Sequence, residues 1–257
     1  MKKQALLLSS LTALIAAPSY SQSLTEHEGT LTITPSFVSA YMFRGLQMGG
    51  FSFQPMADYS KGPLSLGLAT NFPIADKIPG TSDPEFDFSA SYAWDIMPNM
   101  FTIKPGFCLY TYPRAHKDDG SYKVTFEPYL SFEYTFNDIV FSFNLYYDFV
   151  MEGGTYEFGF NYSIPIKLLE LDIELSALIG KYEWSDAING PIKIKNKGDY
   201  FQAGVSIPYE FSSKSKLNVG WYYAKGANNF FQIGNDRESN PSAIGRGVFQ
   251  LSFSQSF

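Results

Sequence analysis

Ten carboxylates recur at one parity of alternating segments in this chain: Asp58, Glu85, Asp87, Asp95, Glu127, Glu133, Asp148, Glu157, Asp172 and Glu174. The pairs Glu85/Asp87 and Asp172/Glu174 put two acids on one face of an extended strand, a spacing that acid–base chemistry could use. On the same parity stand Lys104, Lys123, Lys216 and Arg246, with Arg44 just beyond the first segment. Nothing completes a nucleophilic site. His27 lies near the N-terminus and His116 in the loop RAHKDDG, and neither is on a strand beside a serine, as a hydrolase would need. Asp118-Asp119-Gly120 and Asn235-Asp236 lack an ordered set of Ca²⁺ ligands. The sequence therefore indicates no enzyme, no cofactor and no metal, and the acids read as the lining of a surface.

What positions them is a period of two. SYKVTFEPYLSFEY places Tyr122, Val124, Phe126, Pro128, Leu130, Phe132 and Tyr134 on one face, and Lys123, Thr125, Glu127, Tyr129, Ser131 and Glu133 on the other. Such alternation is a strand with one apolar and one polar side. It predicts twelve strands, near 30–41, 51–59, 63–72, 85–96, 100–112, 122–135, 139–149, 155–164, 171–182, 199–209, 216–225 and 246–257. Connections after the even strands are short (SKG, MPN, FND, PIKLLE, EFSSKS). Those after the odd strands are mostly longer, MEGG near residue 152 excepted. The longest spans 226–246 and carries Phe230-Phe231.

Both faces of these strands cannot be satisfied in water. Nearly every strand carries five or six large apolar residues on one side, while the charged opposite sides could not pack together as the dry core of a sandwich. Turned inside out, apolar faces meet lipid and polar faces line a lumen. Aromatics gather at strand ends (Tyr59, Trp94, Tyr134, Tyr209 and Phe257 at the short-turn side; Tyr41, Phe51, Phe72, Tyr122, Phe149 and Tyr156 at the other), with Ala90, Leu175, Ala203 and Val219 between them, as two bilayer interfaces favour. The fold predicted is all-β, a single antiparallel transmembrane β-barrel of twelve strands with short periplasmic turns and longer extracellular loops. Pro35, Pro55, Pro105 and Pro128 fall inside strands, where a missing donor calls for bulges or bends.

The ends give the address. Lys2-Lys3, an apolar run from Ala5 to Ala17 and small residues before position 22 have the layout of a secretory signal, so we expect residues 1–21 to be cleaved and 22–257 to form the barrel. The single cysteine, Cys108, excludes an intrachain disulfide. A formal charge of −6 argues against nucleic acid as a partner. Phe249, Leu251, Phe253 and Phe257 alternate in the last strand and resemble the C-terminal signature that outer-membrane assembly machinery recognises. The expected setting is the outer membrane of a Gram-negative-type bacterium, reached with periplasmic chaperones and the barrel-assembly machinery.

Residues 36–74 resemble the start of the TorF porin family. The resemblance rests on Ser39, Tyr41, Phe43, Arg44 and Gly45, read as Ser-x-Tyr-x-Phe-Arg-Gly, then on the Gln54-Pro55 region and a small-residue strand around Gly67 and Asn71. Where family members show a Trp-Ala-Ser-Asn-like run, this chain has Leu68-Ala69-Thr70-Asn71. The resemblance implies a porin-like protein and names no substrate. From the residues themselves, the lumen set (Glu127, Glu85, Asp87, Asp148, Glu157, Asp172, Glu174, with Arg44 and Lys123) would favour cations or small neutral solutes. Glu127 is expected near mid-membrane, and inward Gly67, Gly106, Gly159, Gly204 and Gly220 are expected to leave space. Arg44 reads equally as a loop anchor pairing inward acids or as an interface arginine snorkelling to water. The rival class is a non-conducting structural or surface-binding barrel that acts through its extracellular loops.

Overall fold

The structure, a computed structural model, describes residues 28–75, 84–115, 122–166, 171–189 and 192–257. The expected leader over residues 1–21, His27, His116 and Asp118–Gly120 lie outside them. Twelve antiparallel strands form one sheet that closes on itself. They are β1 (Thr30–Thr34 and Ser36–Val38), β2 (Ser52–Phe53 and Met56–Lys61), β3 (Leu64–Pro73), β4 (Glu85–Tyr92 and Trp94–Met97), β5 (Phe101–Thr111) and β6 (Val124–Phe136). The second half holds β7 (Ile139–Asp148), β8 (Gly153–Ile166), β9 (Leu171–Asn189), β10 (Ile192–Ser212), β11 (Ser215–Ile233) and β12 (Arg246–Ser256). β12 closes the ring, pairing with β11 at Trp221↔Phe249 and with β1 at Leu251↔Phe37 and Ile33↔Gln255.

The period of two becomes an inside and an outside. On β8, Thr155 and Glu157 are buried while Tyr156, Phe158 and Phe160 are exposed. On β12, Phe249 is 67% exposed and Val248 0%. Neighbouring rings on the outer face stack across strands, as with Phe132–Phe143 at 6.3 Å, directly opposite in register, and Phe141–Phe158 at 6.4 Å, on the diagonal. A continuous belt of exposed aromatic and aliphatic side chains around a closed sheet is a lipid-facing surface.

The prolines sit where the ladder is already interrupted. Pro35 and Pro55 separate the two segments of β1 and of β2. Pro105 pairs with Leu130 on one side; on the other, β4 breaks at Ala93, whose N–H turns to the Pro63 carbonyl at 2.8 Å. Pro128 lies one residue beyond Tyr129↔Tyr146, the outermost β6–β7 pair. The expected bulges are therefore not needed in the β5–β6 ladder, which keeps register through both prolines.

Two other expectations are corrected. β9, β10 and β11 run well past their predicted outer ends, so much of the supposed loop 226–246 is strand; its Asp236–Ser239 forms a further short strand against Phe230–Ile233. Asp95 keeps the inward parity beyond the β4 break: it stands opposite Thr102, itself opposite Glu133, and accepts from Thr102 Oγ1 at 2.7 Å. The inward glycines mostly do not leave space. A Cβ on Gly106 would sit 2.5 Å from the Tyr129 ring and one on Gly204 2.8 Å from Tyr222 Cβ, so tyrosine side chains already fill those places.

Candidate functional site: an arginine-tipped hairpin in the lumen

The connection after β1 does not project into solvent. Tyr41–Phe43 and Leu46–Gly49 form a two-stranded hairpin of their own, paired Phe43↔Leu46 around the turn Arg44-Gly45. Both turn residues have positive φ, 48° and 75°, the signature of the tight turn that suits twisted strands. For an arginine that conformation costs about 1–2 kcal/mol, so something must hold it there. At Gly45 there is no room for a side chain, since a Cβ would meet Tyr200 Cβ at 2.6 Å and the Gly226 backbone at 2.8 Å.

The physical reason for the inward fold is composition. Ala40, Tyr41, Met42, Phe43, Leu46 and Met48 make this segment too apolar for a solvated loop, and inside the barrel they find partners. Ala40 and Met42 pack with Val38, Tyr222, Ala224 and Val248; Leu46 packs with Tyr182, Trp184 and Tyr200; Tyr41 packs with Ala69. Each such side chain taken from water contributes about 1.5–3 kcal/mol. Backbone bonds fasten the base, with Gln47 N–H donating to the Ser242 carbonyl at 2.7 Å.

At the tip, Arg44 is 4% exposed and binds Glu127 through both ends of its fork, Nη1 to Oε1 at 2.7 Å and Nη2 to Oε2 at 2.8 Å. Its Cζ lies 4.8 Å from the Phe43 ring centre, 4.9 Å from that of Tyr146 and 5.7 Å from that of Trp184. Tyr110 donates a further hydrogen bond to Glu127 Oε2 at 2.9 Å. A guanidinium stays charged in a protein, so the pair is a true ion pair walled by aromatic faces. This geometry removes the snorkelling reading of Arg44 and leaves the anchor.

The remaining lumen residues fall into separate groups. Glu157 faces the same chamber and accepts from Tyr200 at 2.5 Å, Tyr146 at 3.1 Å and Asn144 at 3.5 Å. Asp148 points back into its own turn, accepting from the N–H groups of Val150 and Met151, both at 2.8 Å; its work is capping. Glu85 and Asp87 are buried side by side on β4, in direct register with Asn71 and Ala69 of β3. Asp172 and Glu174 lie at the opposite end of the barrel, where Ser206 donates to Glu174 at 3.2 Å. Lys123 is exposed beyond the outer end of β6 and does not join the chamber. Glu127, expected near mid-membrane, is close to that same outer end. A second ion pair, Lys104–Glu133 at 2.7 Å, lies toward the short-turn end. Glu127 and Glu133 thus face fixed cations.

A family model described as "Putative MetA-pathway of phenol degradation" matches residues 63–235. The chain belongs to that family. The match begins after the Ser39–Gly45 motif, so it does not bear on the TorF resemblance, whose motif residues are those of the inward hairpin and its approach. Among solved structures the chain is similar to a KdgM porin (12% identity, TM-score 0.54, covering 89% of this chain and 99% of that one) and a NanC porin (11%, 0.51, 88% and 98%). No curated protein matches. At these identities the likeness is one of fold, and the fold is the closed barrel of outer-membrane porins.

Sequence reasoning missed the hairpin. The available signal was the density of apolar residues in AYMFRGLQMGG, together with an arginine in front of a turn glycine.

Proposed function

We propose that this protein is an outer-membrane channel for the passive passage of small solutes, narrowed by the hairpin that carries Arg44. The observation that carries the reading is a polar-lined closed barrel whose first long connection is folded inward and held to the far wall by the Arg44–Glu127 pair. The inward acids outnumber Arg44, Lys104 and Lys216, which favours cations; Arg44 at the narrowing opposes them, so the preference is weak. The short motif shared with TorF porins supports the same reading, because it is the motif that builds the hairpin. Export through the leader 1–21 and recognition of Phe249, Leu251, Phe253 and Phe257 by the assembly machinery complete the proposal.

The test is single-channel recording of the refolded protein in a planar bilayer under a KCl gradient. Small steady conductance with a reversal potential shifted to the cation side supports it. A silent bilayer containing correctly folded barrel refutes it, and would favour a non-conducting barrel acting through the extended outer ends of β9 to β11.

A further inference from the structure

Basic residues are distributed unevenly around the barrel. From β4 to β8 the strands hold a single lysine or arginine, Lys104, and it is buried on the lumen side. The outer ends of β9, β10 and β11 carry Lys181, Lys195, Lys197 and Lys225, all on the outward parity. Lys181 continues the row of Leu175, Ala177 and Ile179 on β9, and Lys225 that of Val219, Trp221 and Tyr223 on β11. Each therefore stands directly above the lipid-facing part of its own strand. Lys181, Lys195 and Lys225 are exposed.

The two acids beside them, Glu183 and Asp199, are already engaged. Lys197 Nζ binds Glu183 Oε1 at 2.6 Å, and Lys195 and Lys181 lie within electrostatic reach of the same carboxylate. Asp199, directly opposite Lys181 in register, accepts instead from Asn228 Nδ2 at 3.1 Å. Lys181, Lys195 and Lys225 form no ion pair among the described residues. Lys225 stands opposite Phe201, two residues along β10 from Asp199. Two strand spacings and this two-residue offset put the Lys181 and Lys225 backbones about 12 Å apart, so their long side chains can meet one large headgroup. Beneath them Ile179, Trp221 and Phe249 are 61%, 41% and 67% exposed. A cationic rim continuous with an apolar wall matches a ligand that is anionic at one end and hydrocarbon at the other. A soluble anion would match the rim alone.

We propose that the outer ends of β9 to β11 bind a phosphate-bearing lipid of the outer leaflet, with Lys181 and Lys225 on its phosphates, Lys195 adding charge, and its acyl chains lying along Ile179, Trp221 and Phe249. The inference rests on the lipid-facing belt and is independent of whether the barrel conducts.

The experiment is native mass spectrometry of the refolded protein in detergent, titrated with bisphosphorylated lipid A, which counts bound lipid and gives its affinity. Binding is expected to weaken about fivefold in Lys181→Gln and in Lys225→Gln, and roughly 25-fold in the double variant, as loss of one headgroup charge contact each implies. Lys214→Gln removes an exposed lysine from the turn at the opposite rim of the same strands and should change nothing. The same lipid stripped of its phosphates should bind the wild-type barrel no better than the intact lipid binds the double variant. Unchanged affinity in the double variant, an equal loss in Lys214→Gln, or equal affinity for the phosphate-free lipid overturns the proposal. Heat-modifiable gel mobility confirms that each variant folds. For any that does not, the wild-type comparison of the two lipids decides.

Discussion

Replacing Arg44 with alanine should release the hairpin while leaving the barrel intact. The substitution removes a doubly bonded ion pair at 2.7 and 2.8 Å and leaves Glu127 buried with only the Tyr110 hydroxyl donating to it. Breaking one partner out of a buried pair costs about 3–5 kcal/mol. The ladder that closes the sheet does not pass through Arg44, so the loss falls on docking of Tyr41–Gly49, a locally stabilised unit. At 1.4 kcal/mol per tenfold, the docking equilibrium should fall roughly 100- to 4,000-fold. Trp184 reports on it: this side chain is 5% exposed against Leu46 and the Arg44 guanidinium, whereas Trp94 and Trp221 face outward. In a Trp94→Phe/Trp221→Phe background, an aqueous quencher should barely reach Trp184 in the parent and should reach it readily in Arg44→Ala. Single-channel conductance should rise in parallel. The double change Arg44→Met/Glu127→Gln removes both charges and should restore much of the shielding, because what is costly is the orphaned carboxylate. A Trp184 that stays shielded in Arg44→Ala, with conductance unchanged, would refute the claim that this pair holds the hairpin.

Gly45→Ala should produce the same undocking without touching any charge, because its Cβ would sit 2.6 Å from Tyr200 and the residue has φ 75°; the Trp184 quenching assay reads it. Val219→Arg, on the exposed face of β11 in the apolar band, should cost about 2–4 kcal/mol in refolding titrations into lipid bilayers, whereas a barrel facing water there would lose nothing measurable. Phe257→Ala should lower the yield of heat-modifiable barrel in cells. It should barely alter refolding in detergent, because the backbone bond from Phe257 N–H to the Leu31 carbonyl at 2.9 Å survives the change.

What could be read from the sequence and what could not divide along one physical line. Strand positions, the two faces and the twelvefold count are local properties: each follows from whether lipid or water touches every second side chain, and segments such as Val124–Phe136 declare this unaided. The prolines and the site depend instead on register, which the period of two does not contain. Pro105 is tolerated because the β4–β5 ladder is interrupted beside it, between Gly106↔Ser91 and Ile103↔Trp94, and only that pairing shows it. Likewise the acids shared one parity, but parity cannot say that Asp148 bends back to its own turn while Glu127 and Glu157 come together beneath Tyr200 and Tyr146. The hairpin is the instructive case, since its inward course was encoded in composition rather than in period. A segment bearing Tyr41, Met42, Phe43 and Leu46 cannot sit stably in water, and a barrel offers it only one other apolar place. Arg44 is then the residue that makes the interior affordable: it strains the turn, finds the one carboxylate within reach of both guanidinium ends, and so converts a greasy loop into a fixed part of the lumen wall.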